Sequence, residues 1–151
     1  MGEGLASEIM QDFVTRMADA VISERFEIYS AGVHLPFSIL TSAASLRVAT
    51  LDELEDGFDT FAEMVRIRGV TRIDQTVMYA EFESPDRIVG IYRTRLMDGP
   101  RDVLPEYYSK MWIRRIDGTW KATRTHNTTK EARWPVLLTR LASDSWSPEE
   151  L

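Results

Sequence analysis

The stretch "IRRIDGTWKATRTHN", residues 113–127, predicts a β-hairpin and, with it, the end of an antiparallel sheet. Asp117 and Gly118 form the turn, because an Asp-Gly pair readily adopts the left-handed backbone conformations of a tight two-residue hairpin. Side chains alternate between the two faces of a strand. Counting by twos therefore places two sets on opposite faces of the last strand: Trp120, Ala122, Arg124 and His126 on one, and Lys121, Thr123, Thr125 and Asn127 on the other.

Two longer strands are predicted before this hairpin. "VTRIDQTVMYAEF", residues 70–82, and "IVGIYRTRLM", residues 88–97, alternate with period two. The intervening "SPDR" is typical of a turn. The pattern predicts a meander of antiparallel strands in the second half of the chain.

The first half of the chain is mainly helical. Apolar residues recur at helical spacing from Met10 to Val21, and Ser7 is a candidate N-cap. A short helix ending at Gly32 and two short strands, at 37–40 and 46–48, follow. Thr50 and Glu53 then form the capping box of a third helix, which Gly69 ends. Helices first and strands second predict an α+β fold with the helices packed on one face of the sheet.

The order of these elements resembles the nuclear transport factor 2-like superfamily, also called SnoaL-like. The resemblance covers residues 8–128 and rests on the opening helix, the "HLPF" segment, the capped helix and the closing "YYSKMWIRRIDGTWKATRTHN". It implies a cone, in which a curved antiparallel or mixed sheet wraps around the N-terminal helices as a cystatin-like roll. It also implies a cavity at the open end and a homodimer formed through the outer face of the sheet.

Composition restricts the function further. The 151 residues carry a net charge of −6, and 44% are hydrophobic, which predicts one domain over residues 1–151. An acidic chain repels phosphate backbones, so we expect no nucleic-acid partner. No apolar run reaches the roughly 20 residues of a membrane span, and no signal peptide is recognisable, so we expect no membrane role and a cytoplasmic location. Segment 130–151 is predicted to be a tail, a covering helix or a subunit contact, with an apolar stripe of Trp134, Leu137, Leu138 and Leu141.

The two histidines are candidate catalytic groups, because imidazole titrates near neutral pH. His34 precedes the "LPF" segment near the expected cavity, where it would act as a general base or an anchor. His126 shares the predicted inner face of the last strand with Trp120. For each histidine, a structural role as a hydrogen-bonded polar residue is the alternative. Their separation lacks the spacing of a helical zinc site, and the chain has no cysteine, so we expect no metal and no cofactor.

Four further residues complete the predicted site. Arg124, if it faces inward, needs a carboxylate such as Asp74 or a ligand anion, because a lone buried guanidinium is costly. Asp74 is accordingly a candidate catalytic acid or half of a structural ion pair. Tyr29 and Trp112 are chosen as ligand-binding walls from a larger set of aromatic residues, each of which could equally pack in the core or at a dimer contact.

Two functional hypotheses remain open. The first is a protein that binds a hydrophobic carbonyl compound, as a cofactor-independent lyase, isomerase, dehydratase or polyketide-cyclase-like enzyme. The second is a non-catalytic ligand-binding or dimerisation module. A cavity of several hundred Å³ with both histidines at its wall would favour the first hypothesis. A cavity closed by Phe, Met and Leu would favour the second.

Overall fold

A computed structural model describes residues 2–41 and 45–127. The apolar stripe predicted at Trp134, Leu137, Leu138 and Leu141 lies outside the described residues. Three helices precede the long strands: α1 at Gly2–Ile22, α2 at Phe26–Ala31 and α3 at Leu51–Ile67. The seven strands are β1 Val33–Leu40, β2 Ser45–Val48, β3 Arg72–Ser84, β4 Arg87–Asp98, β5 Arg101–Asp102, β6 Tyr107–Ile116 and β7 Thr119–Asn127.

All seven strands belong to one mixed sheet. Its order is β2-β1-β7-β6-β4-β3, with β5 paired to the end of β4. The predicted antiparallel pairs β3–β4 and β6–β7 are confirmed, and the β6–β7 turn has positive φ at Asp117 and Gly118. The strand β7 pairs in parallel with β1, which makes the sheet mixed and places β7 in its middle. The predicted α+β fold is confirmed.

Two bulges control which side chains face the helices. In β3, Met78 is an extra residue between the pairs Val77–Tyr92 and Tyr79–Ile91. In β7, Thr123 is an extra residue between the pairs Ala122–Ile113 and Arg124–Trp112. An extra residue reverses the alternation of every residue that follows it in the strand. The faces predicted by counting along β7 are therefore correct up to Ala122 and wrong from Arg124 onward.

The helices fill the concave side of the sheet. On α1, Met10, Phe13 and Val14 are fully buried against β3, β4 and β1. Gly90 of β4 permits this close packing, since a Cβ atom there would lie 2.9 Å from the Met10 Cε. A second cluster joins α3 to the ends of β3 and β4 through Phe58, Val65 and Leu96, among other residues.

Two details of the helices bear on the sequence predictions. The N-cap predicted at Ser7 is wrong, because α1 begins at Gly2 and Ala6 is already completely buried in the core. Continuing the helix upstream of Ser7 therefore gains apolar burial. Within residues 2–41 and 45–127, no helix is both long and apolar enough to cross a membrane.

The predicted capping box of α3 is confirmed. The Glu53 amide donates to the Thr50 hydroxyl at 3.2 Å, and the Thr50 amide donates to the Glu53 carboxylate at 3.1 Å. These two bonds satisfy amides that the first helical turn otherwise leaves without partners. Because α3 supplies part of the cavity wall described below, the box also positions that wall.

Replacing Thr50 with Ala is expected to lower the free energy of unfolding by about 1 kcal/mol, because one capping bond is lost. Urea denaturation measures the change. Thr60→Ala is the matched control, since Thr60 is equally exposed on α3 but bonds only the carbonyl four residues before it. Equal losses in the two variants would contradict the stabilising role of the box.

Candidate functional site

A cavity of about 170 Å³ lies between the concave face of the sheet and the three helices. Its wall is mainly apolar, with polar groups contributed by the strands. The wall residues are Phe13, Val14, Met17, Ala18, Val21, Tyr29, Phe37, Ile39, Gly57, Phe58, Phe61, Ile73, Gln75, Tyr92, Tyr107, Ser109, Met111, Thr125 and Asn127. The cavity is thus smaller than the several hundred Å³ expected for a large substrate.

Hydrogen bonds along β6 and β7 organise one polar part of the wall. The Tyr92 hydroxyl on β4 lies near the side chains of Ser109 and Thr125. The Ser109 hydroxyl donates to the Asn127 Oδ1 at 3.1 Å, and the Thr125 hydroxyl donates to the Lys110 carbonyl at 3.2 Å. Thr125 and Asn127 take part only because the bulge at Thr123 turns them toward the helices.

A second group of hydrogen bonds involves β3 and the helix α1. The Thr94 hydroxyl accepts from the Gln75 Nε2 at 3.2 Å, and the Tyr107 hydroxyl lies near Thr94. The side chain of Gln11 on α1 holds the backbone of this part of β3. Its Nε2 donates to the Gln75 carbonyl at 2.6 Å, and its Oε1 accepts from the Val77 amide at 2.9 Å. The polar side of the cavity is consequently tied to the long helix.

Tyr29 differs from the other two tyrosines of the wall. It projects from α2, and its ring packs against Phe58 with 5.0 Å between ring centres. Its hydroxyl makes no hydrogen bond to any residue that the structure describes. Unlike Tyr92 and Tyr107, it also has no neighbouring side-chain hydroxyl that lowers its pKa, so a ligand oxygen would meet no competing group at Tyr29 among the described residues.

The three wall phenols stay protonated at physiological pH. Burial raises the pKa of Tyr92 to about 12, even though the neighbouring Ser109 and Thr125 side chains oppose the shift. Burial, and then the nearby Tyr92, also raise the pKa of Tyr29 and that of Tyr107. Low dielectric surroundings disfavour the phenolate anion, so each group acts as a neutral donor and acceptor.

No charged side chain is found among the described residues of the wall. Asp, Glu, His, Lys and Arg are all missing from it. Among residues 2–41 and 45–127, no three carboxylate or imidazole side chains are grouped closely enough to hold a metal ion. The described wall can therefore make hydrogen bonds and apolar contacts, but it offers no acid or base that titrates near neutral pH.

The two histidines predicted as catalytic groups do not line this cavity. His34 is half-buried in β1 and is not a wall residue. The inner face predicted for His126 is wrong, because the bulge at Thr123 turns His126 to the outer face, where it lies opposite Lys110. There, partial burial and the positive charges of Arg124 and Lys110 lower the pKa of His126.

Three other predicted residues also lie outside the cavity. Arg124 is exposed on the outer face, where its guanidinium carbon lies 4.6 Å from the centre of the Trp112 ring. The expected pairing of Arg124 with Asp74 is wrong, because Asp74 is on β3 and its carboxylate lies 4.0 Å from Arg72. Trp112 shares the outer face with Arg124, again because of the register of β6 with β7. Of the six predicted site residues, only Tyr29 lines the cavity.

Tyr92 and Tyr107 belong to the larger set of aromatic residues from which the sequence alone selected only Tyr29 and Trp112. Alternation from the buried Ile88 would have selected Tyr92. The positions of Ser109, Thr125 and Asn127 required the strand register and the bulge. Since Thr123 is not a glycine, no local signal marks that bulge.

Comparison with known proteins defines the fold. No family model matches the chain, and no curated protein matches it. Solved structures do match: an NTF2-like protein of unknown function from Pseudomonas putida KT2440 has a TM-score of 0.60 at 11% identity, covering 91% of this chain and 99% of that one. A cystatin-like-fold protein of unknown function from Nostoc punctiforme PCC 73102 has a TM-score of 0.60 at 14% identity, covering 85% and 92%.

An NTF2-like protein of unknown function from Shewanella oneidensis MR-1 gives a TM-score of 0.57 at 11% identity, covering 79% of this chain and 95% of that one. The chain therefore has the NTF2-like, cystatin-like fold that its sequence resembles. At these identities the likeness concerns the fold and carries no activity.

The lowered pKa of His126 predicts a pH-dependent stability. The unfolded chain binds a proton at the ordinary value of 6.5, whereas the folded chain resists protonation to a lower pH. The contribution of His126 to the free energy of unfolding should therefore be complete above pH 6.5 and should decrease as the pH drops below that value. Urea denaturation between pH 7.5 and pH 5 should show a weaker decline in His126→Gln than in the wild type.

The variant His34→Gln, measured in the same way, separates the contribution of His126 from that of the other histidine. Identical pH profiles for the wild type and His126→Gln would contradict the placement of His126 beside two cations.

Proposed function

We propose that the protein binds a compact, uncharged and largely apolar small molecule in this cavity, and that it does so without proton transfer by the wall. The observation that carries this proposal is a wall of apolar side chains and neutral phenols with no charged group among its described residues. A ligand with one hydrogen-bond acceptor, such as a ketone or an ester carbonyl, fits this chemistry best.

The volume limits the size of the ligand. Cavities of about 150 Å³ in protein cores accommodate a benzene molecule. The present cavity, at about 170 Å³, has room for a single six-membered ring with a small substituent. Met17 and Met111 on the wall have flexible side chains that adapt to the outline of such a guest.

The charge of the ligand follows from the wall. A carboxylate or ammonium ion moved from water into this cavity would lose its hydration without meeting an opposite charge, which is costly. A neutral carbonyl oxygen requires only a donor, and three phenols are available. Tyr92 and Tyr107 have the hydroxyls of Ser109, Thr125 and Thr94 as neighbours, whereas Tyr29 has no such neighbour, so Tyr29 is the expected anchor of the ligand oxygen.

The absence of a general base among the described wall residues favours the binding module over the enzyme. An isomerase or lyase of the kind considered above needs a group that moves a proton near neutral pH. His34, His126 and Asp74 lie elsewhere, and the raised pKa of the phenols makes them poor bases under those conditions. The proposal accordingly assigns Tyr29 a ligand-binding role and no catalytic role.

Acetophenone and α-methylstyrene are matched probes, because the second replaces the carbonyl oxygen of the first with a methylene group. Tyr29→Phe is expected to weaken acetophenone binding about three- to tenfold, the usual value of one net hydrogen bond. Its effect on α-methylstyrene should be negligible. Ligand-observed NMR with purified protein measures both affinities.

Two control variants complete the experiment. Tyr79→Phe removes a phenol from the exposed face of β3 and should leave both affinities unchanged. Ala18→Leu places a larger side chain in the cavity and should abolish binding of both probes while the protein stays folded by circular dichroism. Binding that survives Ala18→Leu would contradict the site, and equal losses of the two probes in Tyr29→Phe would contradict the anchor.

A further inference from the structure

The outer face of the sheet carries positively charged side chains that form no ion pair with any residue of the described chain. We call Arg47, Arg87, Arg114, Lys121 and Arg124 the cationic strip. They lie on β2, β4, β6 and β7, and they alternate with side chains that face the helices. None of the five forms an ion pair with a residue that the structure describes.

The register of the strands brings like charges together. Lys121 lies opposite Arg114, and Arg114 lies opposite Arg87 on the next strand. Like charges in such cross-strand positions destabilise a sheet. Farther along the same face, Arg124 and Lys110 both approach the Trp112 ring, at 4.6 and 5.1 Å from its centre. A bound anion would relieve this repulsion.

The rest of the molecule shows that the strip is not a result of general composition. The chain as a whole is acidic, with a net charge of −6. Exposed carboxylates are concentrated on α3, at Asp52, Glu55, Asp56, Asp59 and Glu63. On the outer face itself, the arginines nearest the β5 end are paired, Arg95 with Asp102 at 3.1 Å and Arg93 with Glu106 at 3.6 Å. The five residues of the strip differ from these two arginines in having no such carboxylate partner among the described residues.

We propose that the cationic strip binds the acidic segment "DSWSPEEL", residues 144–151, of the same chain. This segment carries Asp144, Glu149 and Glu150, three carboxylates without a nearby cation in its own sequence. It also carries Trp146, whose ring can stack on an arginine of the strip, as the Trp112 ring already does with Arg124.

The chain between β7 and the acidic segment is long enough to allow this contact. The strand β7, which bears Lys121 and Arg124, ends at Asn127. The sixteen residues 128–143 can span up to about 50 Å when extended. Neighbouring strands are separated by only about 4.8 Å, so every residue of the strip is within reach.

Tethering compensates for the weakness of each ion pair. An exposed pair contributes little by itself, and a free peptide with three carboxylates would bind poorly. A segment joined to the end of the same strand has an effective concentration in the millimolar range, which converts weak contacts into substantial occupancy. The docked segment would cover the face through which the resemblance implies a homodimer.

His126 is a built-in reporter of this contact. It lies on the same outer face, with Arg124 on its own strand, Lys110 opposite it on β6, and Leu40 opposite it on β1. Arg47, on β2, is the nearest cation beyond β1. Carboxylates docked on the strip would offset these positive charges and raise the pKa of His126.

The test compares two full-length variants that each lose three negative charges. Asp144→Asn/Glu149→Gln/Glu150→Gln removes the carboxylates of the segment. Glu55→Gln/Asp59→Asn/Glu63→Gln removes three exposed carboxylates from α3. NMR titration of the His126 ring should give a lower pKa in the first variant than in the wild type, and the α3 variant should match the wild type. In 0.5 M salt, the difference in the His126 pKa between the wild type and the first variant should disappear, because salt screens the attraction between the segment and the strip.

A second NMR measurement observes the backbone amides of the acidic segment itself. In the wild type, the amide signals of residues 144–151 should differ from those of a synthetic peptide of the same sequence. In Arg114→Gln/Arg124→Gln, the docked population should fall about fivefold, and the signals should move toward those of the peptide.

Two results would overturn the proposal. Equal His126 pKa values in the two triple variants would mean that the segment does not bind the strip. The occupant of the strip would then be an anion from another molecule. A docking signal that weakens on dilution would assign the segment to a neighbouring copy of the chain. Neither result depends on the cavity or on Tyr29.

Discussion

The single extra residue in β7, Thr123, determines what each side of the sheet can do. Because of it, the second half of the central strand is turned over relative to the first. Trp120 and Ala122 pack on the helices, yet Thr125 and Asn127 also face inward and complete the polar part of the cavity wall. The same change sends Arg124 and His126 outward, onto the face that holds Trp112 and Lys110. A neutral interior and a positively charged exterior thus have one structural origin.

The interior illustrates how polar groups are kept in an apolar cavity. Buried hydroxyl and amide groups are tolerated when they bond one another, and the hydrogen bonds at Asn127 and at Gln75 satisfy that condition. Tyr92 and Tyr107 place their hydroxyls beside these bonded groups, near Ser109 and Thr125 and near Thr94 respectively. Tyr29 is held by ring packing on Phe58 instead. The cavity therefore combines a preformed hydrogen-bonded wall with one donor that a guest can satisfy.

Local signals predicted the architecture well and the site poorly. The Asp117-Gly118 turn, the capping box at Thr50 and the period-two segments of β3 and β4 each depend on a few neighbouring residues, and each was confirmed. The position of β7 between β1 and β6 depends on long-range pairing, which no local pattern encodes. The inner positions of His126 and Arg124 were wrong for a related reason: both were assigned by unbroken alternation, and a bulge without glycine leaves no mark in the sequence. Tyr29 was placed correctly because its position depends on a helix and not on strand register.

Gln11 also bonds the edge strand β3 of the sheet. Among the strands that the structure describes, β3 lies at the end of the sheet, and no other described strand pairs with its outer edge. The Gln11 amide group bonds the Gln75 carbonyl and the Val77 amide, as a partner strand would. Strands with free edges tend to recruit edges of other molecules and so promote aggregation. One glutamine on the first helix thereby occupies backbone groups at that edge, next to the irregular position at Met78, that another strand could otherwise pair with.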